Sequence, residues 1–490
     1  MQMLVGGRFC DAADGKVKNV INPSTGAIID RIPAASVADV DKALQVASLG
    51  KQAMAKIPSY RRYQILRRIS ELIRAHEAEL ANLLARENGK PIRQTTEEVK
   101  CAAYIFESFG EEAKRMMGTV IPMDAQPGNE KHFSCTIRQP IGTVAAIVPF
   151  NYPVELFAHK AAPALAAGNA LIVKPPDACP LTLLRIAGLM LEAGLPGEGF
   201  QMITGPGAVI GEMLAASPAV DMITLTGSTR TGQRVGELAA KTVKRVTMEL
   251  GGNDVSVVFG DADLEKAAEA VVFGRLARGN GQICCAVKRV LVQEEAVACF
   301  TRLLVEKASR LKVGDALEPD TDVGPLIDEA AAQEVEAAVI TSLDQGAQLL
   351  LGAVRKNAFY MPTILAEVTP EHKVFRDEVF GPVVPITRFQ NEQEALQLAN
   401  DSPYGLQAGV FTSNTARALD FATKLQAGGV IINWTGAFRA ANLPFGGVKM
   451  SGKGREGIHH TMEEMTELKS IVFHNVFPEG SEADPHDEPG

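Results

Sequence analysis

Gly142-Thr-Val-Ala-Ala-Ile-Val148 is an apolar run that ends in Pro149-Phe-Asn-Tyr-Pro153. A helical stretch at 153–166 follows, and the chain then resumes as Ala170-Leu-Ile-Val173. Two strands separated by a crossover of this length must lie parallel. Neither strand alternates apolar with polar residues, so both faces are expected to be buried. Working outward, the same alternation recurs. Strands are expected at 200–203, 222–225 and 245–249, and helices at 182–193, 208–216 and 230–240. After Gly251-Gly252 a second series begins. Its strands are expected at 255–259, 290–292, 362–365, 383–389, 409–412 and 430–432. Its helices are expected at 263–277, 295–311, 329–345, 392–400 and 416–427. The fold class is therefore α/β, with two open parallel-sheet, Rossmann-like domains.

The segments around this core read differently. Residues 36–118 carry helical periodicity, interrupted at Asn88-Gly89-Lys90-Pro91, where Gly suits a left-handed cap and Pro cannot continue a helix. The second helical run is expected at about 95–117. Residues 119–139 read as two strands joined by a turn, and 467–477 as a late strand. The tail 478–490 is acidic and rich in Pro and Gly, and is expected to be mobile.

The chain has 490 residues and a formal net charge of −9, with 46% apolar and 22% charged residues, which excludes a disordered or fibrous protein. The acidic balance argues against nucleic acid as the main partner. No Cys-x-x-Cys pair occurs among the seven cysteines, so neither a metal site nor a disulfide framework is expected. No leader-like N-terminus or membrane-length apolar run is evident, which points to a soluble cytoplasmic protein.

Four places could carry chemistry. Cys284 follows Gly279-Asn-Gly-Gln-Ile and precedes an apolar strand, where a loop could present a thiolate to a cleft. A buried structural thiol is the plainer alternative, and Cys285 keeps that reading. Glu249 ends a strand before Leu250-Gly-Gly252 and could act as a general base; otherwise it is a turn partner. Asn151 stands at another strand end and could donate to an oxyanion, or simply form a turn beside Pro. Lys174 with Asp177 after one strand, and Gly227-Ser228 opening a helix after another, could hold a nucleotide's ribose and pyrophosphate. The G-x-G-x-x-G fingerprint is absent, and Gly-Ser-Thr is also an ordinary helix cap.

Together these segments resemble the aldehyde dehydrogenase superfamily. The resemblance rests on Pro149-Phe-Asn-Tyr-Pro153, Lys174-Pro, Thr226-Gly-Ser-Thr229, Glu249-Leu-Gly-Gly252, Gly281-Gln-Ile-Cys284, Glu378-Val-Phe-Gly-Pro382, Asn433, Pro444-Phe-Gly-Gly447 and Ser451-Gly-Lys-Gly-Arg-Glu-Gly457. It implies that Cys284 attacks an aldehyde and that Asn151 with the Cys284 N–H holds the oxyanion. It also implies that Glu249 activates the water that releases the acid. Lys174 and Asp177 would lie along the adenosine ribose, Gly227 and Ser228 by the pyrophosphate, Glu378 at the nicotinamide ribose and Phe380 beside the ring. The implied cofactor is NAD, with NADP as the alternative, because Asp177 should repel a 2′-phosphate.

The implied organisation is a dinucleotide-binding domain at 1–118 and 140–249 and a catalytic domain at 250–440. Oligomerisation strands at 119–139 and 465–477 would build a homodimer or homotetramer. Departures from the pattern are Asp177 for a common Glu, Asn253 for a common Lys, and Arg230 for a common Glu. The run Cys285-Ala-Val-Lys-Arg289 is similar to branches acting on phosphorylated aldehydes, but Ile283 replaces their Arg before the nucleophile. Arg115, His159 and Arg439 remain as expected contacts for a small polar or anionic aldehyde. The alternatives are a CoA-acylating enzyme, which would not need Glu249, and a non-enzymatic relative, against which the intact Cys284, Glu249 and Asn151 set argues.

Overall fold

The computed structural model describes residues 1–478; apart from Pro478, the tail expected to be mobile lies outside them. The run that opens at Gly142 forms the middle of an eight-stranded sheet. Its order is Arg8–Cys10, Met3–Val5, Phe200–Met202, Ala170–Lys174, Thr143–Ile147, Met222–Thr226, Arg245–Glu249 and Gly452–Lys453. The five strands from Phe200–Met202 to Arg245–Glu249 are mutually parallel, and the others pair antiparallel at the edges. Chain order reverses between Thr143–Ile147 and Met222–Thr226. Their carboxyl ends carry Asn151 and Gly227-Ser228, so both motifs flank the crevice where open sheets bind ligands.

The N-terminal segment forms four helices: α1 (Val37–Ala55), α2 (Ser59–Ala75), α3 (Glu77–Asn88) and α4 (Ile92–Ala113). Gly89 caps α3 in the left-handed region at φ 84°, as its sequence predicts. The crossovers of the first sheet are α5 (Pro153–Ala167), α6 (Leu181–Glu192), α7 (Gly207–Ala216) and α8 (Thr229–Ala240). Every residue of α5 is buried, because the helix lies between the sheet and α4.

The second sheet has seven strands, in the order Gln348–Leu351, Thr363–Ala366, Val383–Phe389, Val287–Gln293, Asp254–Val258, Gln407–Phe411 and Gly429–Ile432. All its pairs are parallel except Gln348–Leu351 with Thr363–Ala366. A third, antiparallel sheet joins Thr466–Phe473, Phe133–Pro140 and Val120–Ile121, with Thr466 opposite Pro140 and Phe473 opposite Phe133.

Three differences from the sequence reading have physical causes. The strands Met3–Val5 and Arg8–Cys10 are only three residues each, too short to show a period. Gly452–Lys453 returns to the first sheet beside Glu249, a long-range pairing that local pattern cannot reveal. The helix expected at 263–277 is α-helical only over Leu264–Val271; Val272–Ala277 continues as a π-helical turn.

Beyond that turn Gly279, Asn280 and Gly281 have φ of 55°, 55° and 74°, and the chain delivers Cys284. At Gly281 an added Cβ would stand 2.5 Å from backbone atoms of Gly381 and Pro382. Gly281→Ala therefore meets both a left-handed φ and a backbone clash. It is expected to destabilise the fold by about 2 kcal/mol or more and to lower the thermal unfolding midpoint, read by calorimetry. Full wild-type stability in that variant would contradict the packing described.

Candidate active site

Two loops and a connector build the site. The connector is Asn88-Gly89-Lys90-Pro91 between α3 and α4. Asn88 Nδ2 donates to Phe150 O at 2.6 Å, and Lys90 Nζ donates to Asn151 O at 2.7 Å. Lys90 is also ion-paired with Glu98, and both side chains are buried. Glu98 Oε1 accepts from Val154 N at 2.9 Å and Glu155 N at 3.2 Å, the first turn of α5. The loop bearing Asn151 is thus pinned at both ends.

The same segment grips the nucleophile loop. Asn280 Nδ2 donates to Gly89 O at 3.0 Å, and Gln94 Oε1 accepts from Gly279 N at 2.7 Å. Asn151 itself is buried, and its side-chain Oδ1 has no hydrogen-bond partner within the fold.

Cys284 is half-buried and Cys285 lies buried beside it. With Tyr152 they pack against Ile283, Leu406, Ala437 and Phe445. The two thiols hydrogen-bond each other, and Lys288 and Arg439 face both. The first proton therefore leaves the pair more easily than from an ordinary thiol, because the remaining S–H donates to the thiolate and the cations attract it; burial holds the second. Lys288 Nζ donates to Ile283 O at 2.9 Å and to Cys284 O, which fixes the backbone of the nucleophile.

Glu249 ends its strand fully buried, with Oε2 lacking any partner. Burial, then repulsion from Glu456, pushes its carboxyl well above the usual range. Glu456 is buried too. Lys160 at 2.8 Å and Arg439 at 2.6 Å overcome that burial and hold it ionised, well below the usual range. One carboxylate thus keeps its charge beside a second that tends to stay protonated.

Arg439 lines a cavity of about 510 Å³ that also meets Tyr152, Glu155, Arg278, Arg93 and Cys101. Of the three expected substrate contacts, only Arg439 borders it. Arg115 sits on the surface just past α4, 3.9 Å from Glu111 and 3.7 Å from Glu112. His159 is buried in α5, with neither ring nitrogen partnered. Burial and the nearby Arg439 push its pKa well below the usual value, so it presents no charge.

Several residues of the site escaped the sequence reading: Arg278, Lys160, Glu456, Lys90 and Glu98. A sequence signal existed for Lys160, a lone cation in the apolar run of α5, which must find a partner once buried. Arg278 gave no signal, since it follows the irregular turn.

The expected cofactor residues line the carboxyl ends of the first sheet. Lys174 closes the strand Ala170–Lys174 and pairs with Asp177, whose Oδ2 also accepts from Gly207 N at 3.2 Å, the first residue of α7. A Cβ added at Gly207 would stand 3.3 Å from Lys174 Nζ, so only Gly leaves that approach open. Ser228 caps α8, its Oγ accepting from Thr231 N at 3.2 Å.

Glu378 accepts from Gly252 N at 3.1 Å and lies 3.3 Å from Lys288 Nζ. Phe380 meets Phe150 edge-on at 5.8 Å, and both border a cavity of about 610 Å³. Asn253, the unexplained departure from pattern, is buried and donates to Phe375 O at 2.7 Å, which steadies the loop before Glu378. A helix N-terminus, a Lys–Asp pair at a strand end and a cavity bordered by Phe150 and Phe380 are chemistry that suits a dinucleotide.

The comparisons agree with this geometry. The sequence profile of the Aldehyde dehydrogenase family matches residues 9–471. The chain is 41% identical to a 3-sulfolactaldehyde dehydrogenase of Priestia aryabhattai over 93% of its length and 94% of the relative's. It is 38% identical to the mitochondrial succinate-semialdehyde dehydrogenase of Oryza sativa subsp. japonica, over 97% of its length and 90% of the relative's. A crystal structure of glyceraldehyde-3-phosphate dehydrogenase from Methanocaldococcus jannaschii complexed with NADP superposes with a TM-score of 0.89 at 38% identity, covering 93% of this chain and 98% of that one. The chain belongs to the aldehyde dehydrogenase family, enzymes that oxidise aldehydes with NAD or NADP through a cysteine.

Proposed function

We propose that this enzyme oxidises a short aldehyde carrying an anionic end, with Cys284, Asn151 and Glu249 as its catalytic residues. The observation that carries the substrate class is Arg278. It borders the 510 Å³ cavity, and no carboxylate of the described residues lies within ion-pair distance of it. Arg93 and Arg439, in contrast, are already paired, with Asp322 at 2.8 Å and Glu456 at 2.6 Å. Its guanidinium is steadied by the Ala437 carbonyl and by Tyr152, and a guanidinium that has no carboxylate at ion-pair distance suits an incoming carboxylate, sulfonate or phosphate. Glu155 on the same wall could accept from a substrate hydroxyl, which favours hydroxylated aldehydes as a second reading.

In the first step the Cys284 thiolate attacks the carbonyl carbon, and the C=O electron pair moves onto oxygen. Asn151 and the Cys284 backbone N–H stabilise that oxyanion. The bound nicotinamide supplies the acceptor for the hydride that leaves the carbon, and the C=O bond re-forms as a Cys284 thioester. Glu249 then takes a proton from water as the water attacks; the C–S bond breaks, and the acid and the Cys284 thiolate are released. Lys160, Glu456 and Arg439 act on the Glu249 carboxyl through their charges.

The domain roles follow the two sheets. Residues 1–118 and 140–249 bind the dinucleotide, 250–440 supplies the nucleophile, and the third sheet mediates self-association. Val120, Ile137, Leu468 and Val472 are exposed on that sheet, an apolar surface that a second copy would cover in a dimer or tetramer. Among the described residues no helix is long and apolar enough to cross a membrane, and we place the enzyme in the cytoplasm.

Four measurements test this reading. Cys284→Ala is expected to abolish turnover. Glu249→Gln is expected to retain a first-turnover burst of reduced cofactor while steady-state kcat falls about 10²–10⁴-fold, read by stopped-flow absorbance. Loss of the burst itself would remove Glu249 from the hydrolytic step. Wild-type kcat should rise with pH as Glu249 loses its proton, because its raised pKa leaves less base at low pH; a flat profile would contradict this. Arg278→Met should raise KM for succinate semialdehyde about tenfold or more and leave lactaldehyde much less affected. Equal effects on both would favour the hydroxyaldehyde reading.

A further inference from the structure

The adenosine end of the cleft holds a cation that belongs to none of the motifs. Lys18 lies on the hairpin of Val17–Ile21 with Ile28–Pro33, far from the sheet in sequence. Tertiary bonds seat that hairpin against the cleft. Thr204 Oγ1 donates to Pro33 O at 2.6 Å, and Ala35 N donates to Thr204 O at 2.9 Å. Thr204 precedes Gly205-Pro206-Gly207, the turn that opens α7. The hairpin is therefore fixed beside the N-terminus of α7.

From there Lys18 Nζ reaches within 3.8 Å of Asp177 Oδ2. That separation gives Coulomb attraction without a hydrogen bond. The side chain is 47% exposed, so its three N–H donors remain available to a ligand. Asp177 is otherwise committed, with Oδ1 to Lys174 and Oδ2 to Gly207 N. Its charge does not face the cleft alone. Two ammonium groups and the positive end of α7 outweigh one carboxylate at this point. A bare Asp177 would repel a 2′-phosphate, as its sequence position implies; this Asp177 is screened.

We propose that Lys18 is a specificity-determining residue for the acceptor. Together with Lys174 and the N-terminus of α7 it takes the 2′-phosphate of NADP, while Asp177 takes the 2′-hydroxyl of NAD, so that the enzyme accepts both. The inference rests on placing the adenosine ribose between Lys174 and Asp177, as proposed above. The phosphate chemistry is general: an exposed, flexible ammonium group near a buried one can close on a dianion that arrives with the ribose.

Nicotinamide-free probes separate this inference from the reading on which it rests. Adenosine 2′,5′-bisphosphate and 5′-AMP differ only in the 2′-phosphate, and both can be titrated into the full-length enzyme by calorimetry. Lys18→Ala is expected to weaken the bisphosphate about tenfold and 5′-AMP less than about twofold. KM for NADP should rise in step with the bisphosphate effect. Asp177→Asn should tighten the bisphosphate, because it removes the opposing charge. Lys174→Ala should weaken both probes. If Lys18→Ala shifts both probes equally, or neither, the assignment of Lys18 is overturned. The same holds if the wild-type enzyme fails to bind the bisphosphate while it binds 5′-AMP. If Lys174→Ala leaves both probes unchanged, the ribose placement itself is overturned, and the role of Lys18 with it.

Discussion

Lys90 and Glu98 form a buried ion pair at the start of α4. Burial pushes the Glu98 carboxyl up, and Lys90 draws it back. Removing either partner would strand a charge in the interior, a loss of about 3–5 kcal/mol. The spare valences of the pair are what matter to the chemistry. Lys90 donates to the carbonyl of Asn151, and Glu98 caps the first turn of α5. The neighbouring Gly89 carbonyl accepts from Asn280, four residues before Cys284. The loops that carry Asn151 and Cys284 are thus both tied to one stretch of backbone from the N-terminal helices.

A second electrostatic arrangement depends on that scaffold. α5 carries Lys160 beneath the sheet, where it meets Glu456 from the C-terminal region. Arg439 meets the same carboxylate from the cavity side and stacks over Phe445 with its guanidinium 4.3 Å from the ring centre. Burial raises the Glu249 carboxyl first, Glu456 adds to the rise, and Lys160 and Arg439 oppose it. Gly446 is needed here, since an added Cβ would stand 2.8 Å from Glu249 Oε1. The base is therefore tuned by residues about 90 and 210 positions away in sequence and held in a space that admits no side chain opposite it.

Parts of this were legible in the linear sequence because they rest on local rules. The strands at 245–249 and 383–389 and the helix at 392–400 occur with the bounds that their apolar patterns predict. Gly89 ends a helix because only a residue without Cβ takes φ 84° cheaply. Asn151 and Ser228 fall at the carboxyl ends of the strands where chain order reverses, and that position follows from strand order alone. Cys284 stands out only when Gly281-Gln-Ile-Cys284 is read together with Glu249-Leu-Gly-Gly252 as a family resemblance.

Other features depended on where distant segments meet. Arg115 was an expected anion contact, yet it lies on the surface just past α4, beside Glu111 and Glu112. His159 looked like a ligand because it lies near Asn151, yet burial leaves it neutral. Arg278 and Lys18 gave no signal at all, since their roles come from a cavity wall and a hairpin seated by tertiary hydrogen bonds. The sequence by itself determined the α/β class, through periodicity, and the reaction type, through contiguous motifs that resemble one family; the same motifs nominated the thiol, base and amide proposed as catalytic. Only the tertiary structure decided which charges face the substrate and the cofactor, because net field at a site is a sum over residues that the chain brings together from its whole length.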